Sequence, residues 1–335
     1  MIINSGMRTD IPAFYSEWFM NRIREGKVLV RNPYYGEQVT EYDLTPDKVD
    51  LLIFCTKDPT PMLKYIDELK NFNMFWFVTI TPYGKDVEPY VPDKQHILDS
   101  FMELSRKVGI KNISWRYDPI LITEKYSLEY HKEAFDMMAY ELNGYTDNVV
   151  ISFLDLYNKT IKNFDQARDV NYAEREYIGK AFSEIAKEYG ITVRTCLEGT
   201  HLGKYGIETD GCMTKRILER AIGSSLNPPS EKNPRRDCDC LTGRDIGAYN
   251  TCPHLCRYCY ANFDKTTVRN NIKLHDPKSP LLIGHLRPED KIKKAEQHSF
   301  ITGQMMLDIK RASITEALCC LKLSFYQAEA SSSIK

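Results

Sequence analysis

The chain has 335 residues, with 45 basic against 46 acidic side chains and a formal net charge of −1. Its composition, 42% apolar and 27% charged with 17 Gly and 16 Pro, excludes a collagen-like, a coiled-coil or a wholly disordered chain. The near-neutral balance gives no global reason to expect a nucleic-acid or membrane partner, and no apolar run reaches the ~18 residues of a membrane span.

Residues 1–5 read as a short strand. A helix is expected over 13–24, which Asp10 can cap and whose first turn suits Pro12. Residues 27–32 and 38–42 read as a hairpin about PYYG. A helix at 61–69 is expected between strands at 49–54 and 74–80. Next come a helix at 97–108 ended by Gly109 and a strand at 112–117. Then follow a helix at 128–142 ended by Gly144, a strand at 149–154 and a helix at 173–189 ended by Gly190. A strand at 191–196 and a helix at 213–221 complete the series.

These strand–helix units in sequence imply an α/β fold with a parallel sheet. No G-x-G-x-x-G follows the first strand, so the dinucleotide-binding doubly wound sheet is disfavoured. The expected architecture is a TIM-like (β/α) barrel, with room for an incomplete one. A Pro-rich polar stretch at 227–234 marks a boundary. Residues 1–225 are then the barrel body, 226–300 a cysteine-rich segment completing it, and 301–335 a divergent tail expected to fray. The first ten residues show no basic stretch leading into an apolar one, so a cytoplasmic location is expected.

Ten cysteines are unevenly placed, five of them between Cys238 and Cys259. In a reducing compartment, clustered thiols hold metal more often than they form disulfides. The densest motif is CPHLCRYC, in which Cys252, Cys256 and Cys259 have the spacing C-x-x-x-C-x-x-C. Three thiolates from one loop suit an iron–sulfur cluster with one iron left open. The alternative is zinc, with Cys238, Cys240 or His254 as fourth ligand. Cys196, Cys212, Cys238 and Cys240 form a second candidate group, for another iron–sulfur cluster or a zinc ion. Plain burial is the alternative for Cys196 and Cys212. Cys55, in an apolar strand, is expected to pack in the core, and Cys319 and Cys320 carry no assigned role.

In a barrel, chemistry gathers at the C-terminal ends of strands. Those ends supply Arg8, Asp10, Lys57, Arg116, Asp118, Asp155 and Glu198 as candidate cofactor-binding residues, with Lys57 or Arg116 able to hold a carboxylate. The plain alternatives are that Asp10 only caps a helix and that Arg116 and Asp118 only pair with each other.

The cysteine loop resembles that of radical S-adenosylmethionine enzymes, with an aromatic residue, Tyr258, before the third cysteine. The YAN that follows is similar to the loop of spore photoproduct lyase. The resemblance implies a 4Fe–4S cluster on Cys252, Cys256 and Cys259 and S-adenosylmethionine as the small-molecule cosubstrate. It also implies an electron donor such as flavodoxin or ferredoxin; the superfamily's Gly-Gly-Glu stretch is not evident, so a ribose or amine contact for Glu198 rests on its strand-end position alone. That superfamily carries its cluster loop after the first barrel strand. A circular permutation, with the strand from Asp245 lying beside the N-terminal strand, would reconcile the order. To about Phe300 the chain resembles the family called domain of unknown function 1848. The likeness is carried by RTDIPAFY from Arg8, LVRNP from Leu29, TKDP from Thr56, WRYDPI from Trp115, ISFLD from Ile151, DIGAY from Asp245 and HDPKSPLL from His275. The basic stretch 231–278, with Tyr249, Tyr258 and Tyr260, would suit a nucleic acid, which is the less favoured partner.

Overall fold

The computed structural model describes residues 1–229 and 239–305. Cys238, Cys319, Cys320 and most of the tail fall outside the described residues. Strand β1 (Ile2–Ser5) opens the chain. The Asp10 side chain accepts from the Ala13 amide at 3.1 Å and starts α1 (Ile11–Phe14), with Pro12 in its first turn. The helix expected over 13–24 is interrupted at Tyr15, whose backbone leaves helical angles, and resumes as α2 (Ser16–Glu25). The cause is tertiary: the Tyr15 hydroxyl donates to the Thr251 carbonyl at 2.5 Å, far along the chain.

Strands β2 (Lys27–Arg31) and β3 (Gln38–Asp43) form the expected antiparallel hairpin. After β4 (Leu51–Thr56), the single helix expected at 61–69 is instead a short α3 (Thr60–Leu63) and a separate 3-10 turn, Ile66–Leu69. The alternation then runs through β5 (Met74–Thr79), α4 (Lys94–Val108), β6 (Ile113–Ile120), α5 (Leu128–Glu141) and β7 (Asn148–Phe153). It continues with α6 (Asn158–Asn163), α7 (Tyr172–Glu188), β8 (Thr192–Thr195) and α8 (Lys215–Ile222). A capping box, Asn171 with Glu174, fixes the start of α7. Five elements close the described chain: β9 (Ser224–Leu226), β10 (Arg244–Asp245), α9 (Lys265–Ile272), β11 (Lys291–Lys294) and β12 (Ile301–Met305).

The fold is mixed α/β, built on a seven-stranded parallel sheet in the order β10-β1-β4-β5-β6-β7-β8. From β1 to β8 the neighbours follow chain order, without the reversal that defines a doubly wound sheet. Among the described residues the ladder ends at β8 on one side and β10 on the other, so a closed barrel is not seen. The strand at Asp245 does lie beside the N-terminal strand, with Ile3 opposite Arg244 and Asn4 opposite Asp245. Among the described residues of the segment 226–300, β10 alone joins this sheet. Strand β11 instead extends the hairpin in a sheet β11-β3-β2, and β12 pairs with β9. Among the described residues, no helix is long and apolar enough to cross a membrane.

Side chains alternate across a strand, so each strand feeds two faces. Ile3, Leu52, Phe54, Trp76, Trp115, Tyr117 and Ile151 pack with Phe19, Phe101, Phe135 and Phe182 of the helices. Phe54 stacks on Trp76 at 3.9 Å and Phe135 on Phe182 at 3.8 Å. On the other face, Ile2, Leu51, Ile53, Phe75, Phe77 and Val150 are covered by Met213 and by Ile217 and Leu218 of α8. Each such buried side chain contributes about 1.5–3 kcal/mol.

Gly6 ends β1 at φ +150°, and a Cβ there would stand 2.1 Å from the Cys55 carbonyl oxygen. Both the backbone angle and the close approach demand glycine. Gly6→Ala is expected to destabilise by about 4 kcal/mol, the upper range for single substitutions. An unchanged midpoint in urea unfolding would refute this.

Candidate functional site

A cavity of about 300 Å³ opens where the parallel strands end. Its walls come from the residues after β1 (Gly6 to Asp10), the end of β4 (Cys55, Thr56, Lys57), Thr79 of β5, Arg116 and Asp118 of β6, and Ser152 to Asp155 at the end of β7. Cys196 and Leu197 after β8, Cys212 and Met213 before α8, and the cysteine loop complete them. Six of the seven strand-end candidates line this space: Arg8, Asp10, Lys57, Arg116, Asp118 and Asp155. Glu198 does not. Its Oε1 accepts from the Phe153 amide at 2.7 Å and its Oε2 from Arg175 at 2.6 Å, so it ties β7 to α7. Burial pushes its carboxyl up to about 7.

The loop carrying Cys252, Cys256 and Cys259 is pinned on several sides. The Asn262 side chain donates to the Cys252 carbonyl at 2.9 Å, and the Arg257 amide to Val87 O at 2.9 Å. Thr160 donates to Tyr258 O at 3.2 Å. Within the loop, the Cys259 amide reaches Cys256 O at 3.1 Å, and the Ala261 amide donates to the Cys259 sulfur at 3.3 Å. Leu255, between the first two cysteines, sits at φ +52°, a left-handed angle that a leucine adopts only when its surroundings impose it. Burial raises all three thiols; Cys252 also feels Cys256 and Cys259, Cys256 feels Cys259, and all three line the cavity.

His254, proposed above as a zinc ligand, has both ring nitrogens engaged. Nε2 lies 3.1 Å from Asp10 Oδ2 and Nδ1 lies 3.3 Å from Tyr90 O. Among the described residues, no three His, Cys, Asp or Glu side chains are gathered closely enough to hold one metal ion. Cys238, the other thiol considered for a zinc site here, lies outside the described residues. Three buried thiols of one loop lining one cavity are a donor set of the kind a cluster takes.

The cavity's cations already have carboxylate partners, so a ligand carboxylate at Lys57 or Arg116 would share the cation with one. Lys57 Nζ meets the fully buried Glu88 at 2.8 Å. Glu88 also takes hydrogen bonds from Lys94, from the Tyr258 hydroxyl of the cysteine loop and from Thr81. Burial opposes ionisation of Glu88, but Lys57 and Lys94 outweigh it and bring its pKa down to about 2. Burial likewise works against the Lys57 ammonium, and Glu88 holds it above its ordinary value. Arg116 pairs with Asp118, Arg8 with Asp245, and Ser152 donates to Asp118. Asp10 caps α1 and also accepts from the Lys57 amide at 2.7 Å.

Opposite the loop lies a row of thiols. Cys212 Sγ stands 3.7 Å from Cys196 Sγ and 3.8 Å from Cys240 Sγ, and the Met213 amide donates to Cys240 Sγ at 3.1 Å. Arg116 reaches Cys212 Sγ at 3.7 Å. Its contact with Cys196 lowers the Cys212 pKa, but Cys240 and burial prevail and push it up to about 12. Cys240 belongs to this row and does not line the loop's cavity. Cys55 packs against the core cluster of Leu51 and Ile53, as expected, and also borders the cavity; burial pushes its thiol up to about 12. Glu88 was invisible to sequence reasoning, because its partners come from four separate segments.

No curated protein matches the sequence. Among solved structures, a "putative alpha-L-fucosidase" from Bacteroides thetaiotaomicron VPI-5482 is 11% identical, covering 53% of this chain and 73% of its own, with a TM-score of 0.28. So low a score carries no argument. The family described as domain of unknown function DUF1848 matches residues 2–261, most of the chain, and the chain belongs to it.

Proposed function

We propose that the chain is an iron–sulfur protein of the radical S-adenosylmethionine type, on an incomplete, permuted barrel. Cys252, Cys256 and Cys259 would hold a 4Fe–4S cluster. Bound there with S-adenosylmethionine, the group supplies the electron that breaks a carbon–sulfur bond and frees a 5′-deoxyadenosyl radical. One observation carries the reading: all three loop thiols line the cavity onto which the strand-end polar residues also converge. The chain's own residues shape that space. Tyr258 and Lys57, joined through Glu88, hold the loop against β4, while Met213, Leu197 and Phe153 keep part of the wall apolar. The test is anaerobic reconstitution, a count of iron and sulfide, and reduction with S-adenosylmethionine present. Release of 5′-deoxyadenosine supports the reading, and protein that takes up no iron overturns it.

Cys196, Cys212 and Cys240 are proposed as a second thiolate site, for zinc or another cluster. The support is proximity: Cys212 Sγ stands 3.7 Å from Cys196 Sγ and 3.8 Å from Cys240 Sγ, and since the described residues alone make no single-ion site, Cys238 is the proposed fourth donor. The thiols must lose protons to bind, so uptake should release acid. Cys212→Ser is expected to remove about one zinc equivalent, or one cluster's iron, per chain while the loop's metal stays. Equal metal content in Cys212→Ser and the parent would sink this second site.

A further inference from the structure

A second and larger cleft, of about 930 Å³, adjoins the first, and Arg8, Tyr157 and Tyr260 belong to the walls of both. It is built by the hairpin (Leu29 to Tyr34), the residues leading into α6, the Ile246 to Thr251 segment after β10, and Leu281 to Ile283. No role has yet been given to it.

Its chemistry is one-sided. Three cationic side chains, Arg8, Arg31 and Lys159, line it together with four tyrosines and four asparagines, and among the described residues no carboxylate does. Asp245 and Asp290 hold Arg8 and Arg31 in place without lining the cleft. Lys159 pairs with no carboxylate among the described residues. Its Nζ donates to the Tyr260 carbonyl at 3.1 Å and lies 5.3 Å from the centre of the Tyr249 ring, while the Arg8 guanidinium lies 5.6 Å from that ring. Tyr157 and Tyr260 stand 6.1 Å apart, ring to ring, at 43–49% exposure, and Tyr34 at the hairpin tip is 83% exposed. Such half-exposed rings present faces on which a planar group can stack. With Arg8 and Arg31 balanced by Asp245 and Asp290, the charge of Lys159 is left to favour an anion here.

We infer that this cleft receives the substrate, and that the substrate is an anion carrying a planar aromatic ring. Its acidic group lies by Lys159 and Arg8, its ring among Tyr157, Tyr249 and Tyr260, and its reacting end passes Arg8 and Tyr260 into the thiol-lined cavity. This rests on the proposed function only for the word substrate, because binding needs no cluster.

The test uses the full chain as purified, without reconstitution, and follows binding by saturation-transfer NMR and calorimetry. The probes are phenyl phosphate, inorganic phosphate and benzyl alcohol; none contains the adenosine of the cosubstrate. Phenyl phosphate is expected to bind at least about tenfold more tightly than either half-molecule. Lys159→Ala should weaken it about tenfold, the range of one charge-assisted hydrogen bond. Tyr157→Ala should weaken it while leaving circular dichroism unchanged. Equal binding of phosphate and phenyl phosphate, no binding at all, or indifference to both substitutions would each overturn the inference. Binding without any iron uptake would leave it standing while the cluster reading fell.

Discussion

After anaerobic reconstitution, Cys256→Ser is expected to retain no more than about a tenth of the loop's iron and sulfide, and to release no 5′-deoxyadenosine. Cys256 is the middle donor and the most buried of the three, at 9% exposure, with Lys57 next to it to offset thiolate charge. Serine keeps the size of the side chain but exchanges a soft sulfur for a hard oxygen, which iron–sulfur clusters rarely accept as a ligand. Folding is a separate matter, since the loop is pinned by Asn262, Arg257 and Thr160 independently of the sulfurs. Cys55→Ala is the matched control: its thiol shares the cavity but not the loop, and its iron content should equal that of the parent. Parent-level iron in Cys256→Ser, by colorimetric assay and absorbance near the visible cluster band, would remove the proposed ligand set.

Glu88→Ala should be the most destabilising change near the site, by about 3–5 kcal/mol, because it leaves two buried ammonium groups without their counter-charge. The carboxylate is fully buried and is met by Lys57, Lys94, Thr81 and Tyr258. Its pH dependence has a definite sign. The native pKa, about 2, lies below the ordinary value of 4.5. Glu88 therefore stabilises the fold fully above the unfolded value, and that contribution is lost as pH falls through it towards the native one. Glu88→Gln should be less stable at neutral pH and should lose less stability than the parent on acidification from pH 5 to 3. Tyr258→Phe, which removes one donor, should cost about 1 kcal/mol. Chemical unfolding of the variants across that pH range decides it; coincident parent and Glu88→Ala curves would show that the network is not structural.

The readable part of the chain was its local grammar. Asp10 and Pro12 start α1, Gly109 and Gly190 follow the ends of α4 and α7, and the apolar runs became strands within two residues, except β6, which runs three residues further. The split at Tyr15 was not readable, because its cause is a hydrogen bond to Thr251. Nor were β11 and β12, whose partners lie in the hairpin and in β9, far away in sequence. The same division holds at the site. Strand-end logic found Arg8, Asp10, Lys57, Arg116, Asp118 and Asp155, and motif spacing found the loop cysteines. It could not tell that Lys57, Arg116 and Arg8 are already matched with Glu88, Asp118 and Asp245. Core packing of Cys55 was readable from its apolar strand, whereas its place at the cavity wall was not.

The pairing of β1 with β10 also sets an order of events during synthesis. Ser5 leaves the ribosome roughly 240 residues ahead of Asp245, about 12–48 s at ordinary elongation rates. Through that interval one edge of the first strand has no partner, and Arg8 and Asp10 have no loop to meet. The wall that joins them is completed only when the last tenth of the family-matched region, residues 2–261, has emerged. A ribosome stalled before that point would expose an unpaired strand edge, a natural handle for chaperones or proteases. Under the proposed function, metal delivered to the thiols earlier would find the pocket unmade, so loading would follow synthesis of the cysteine loop.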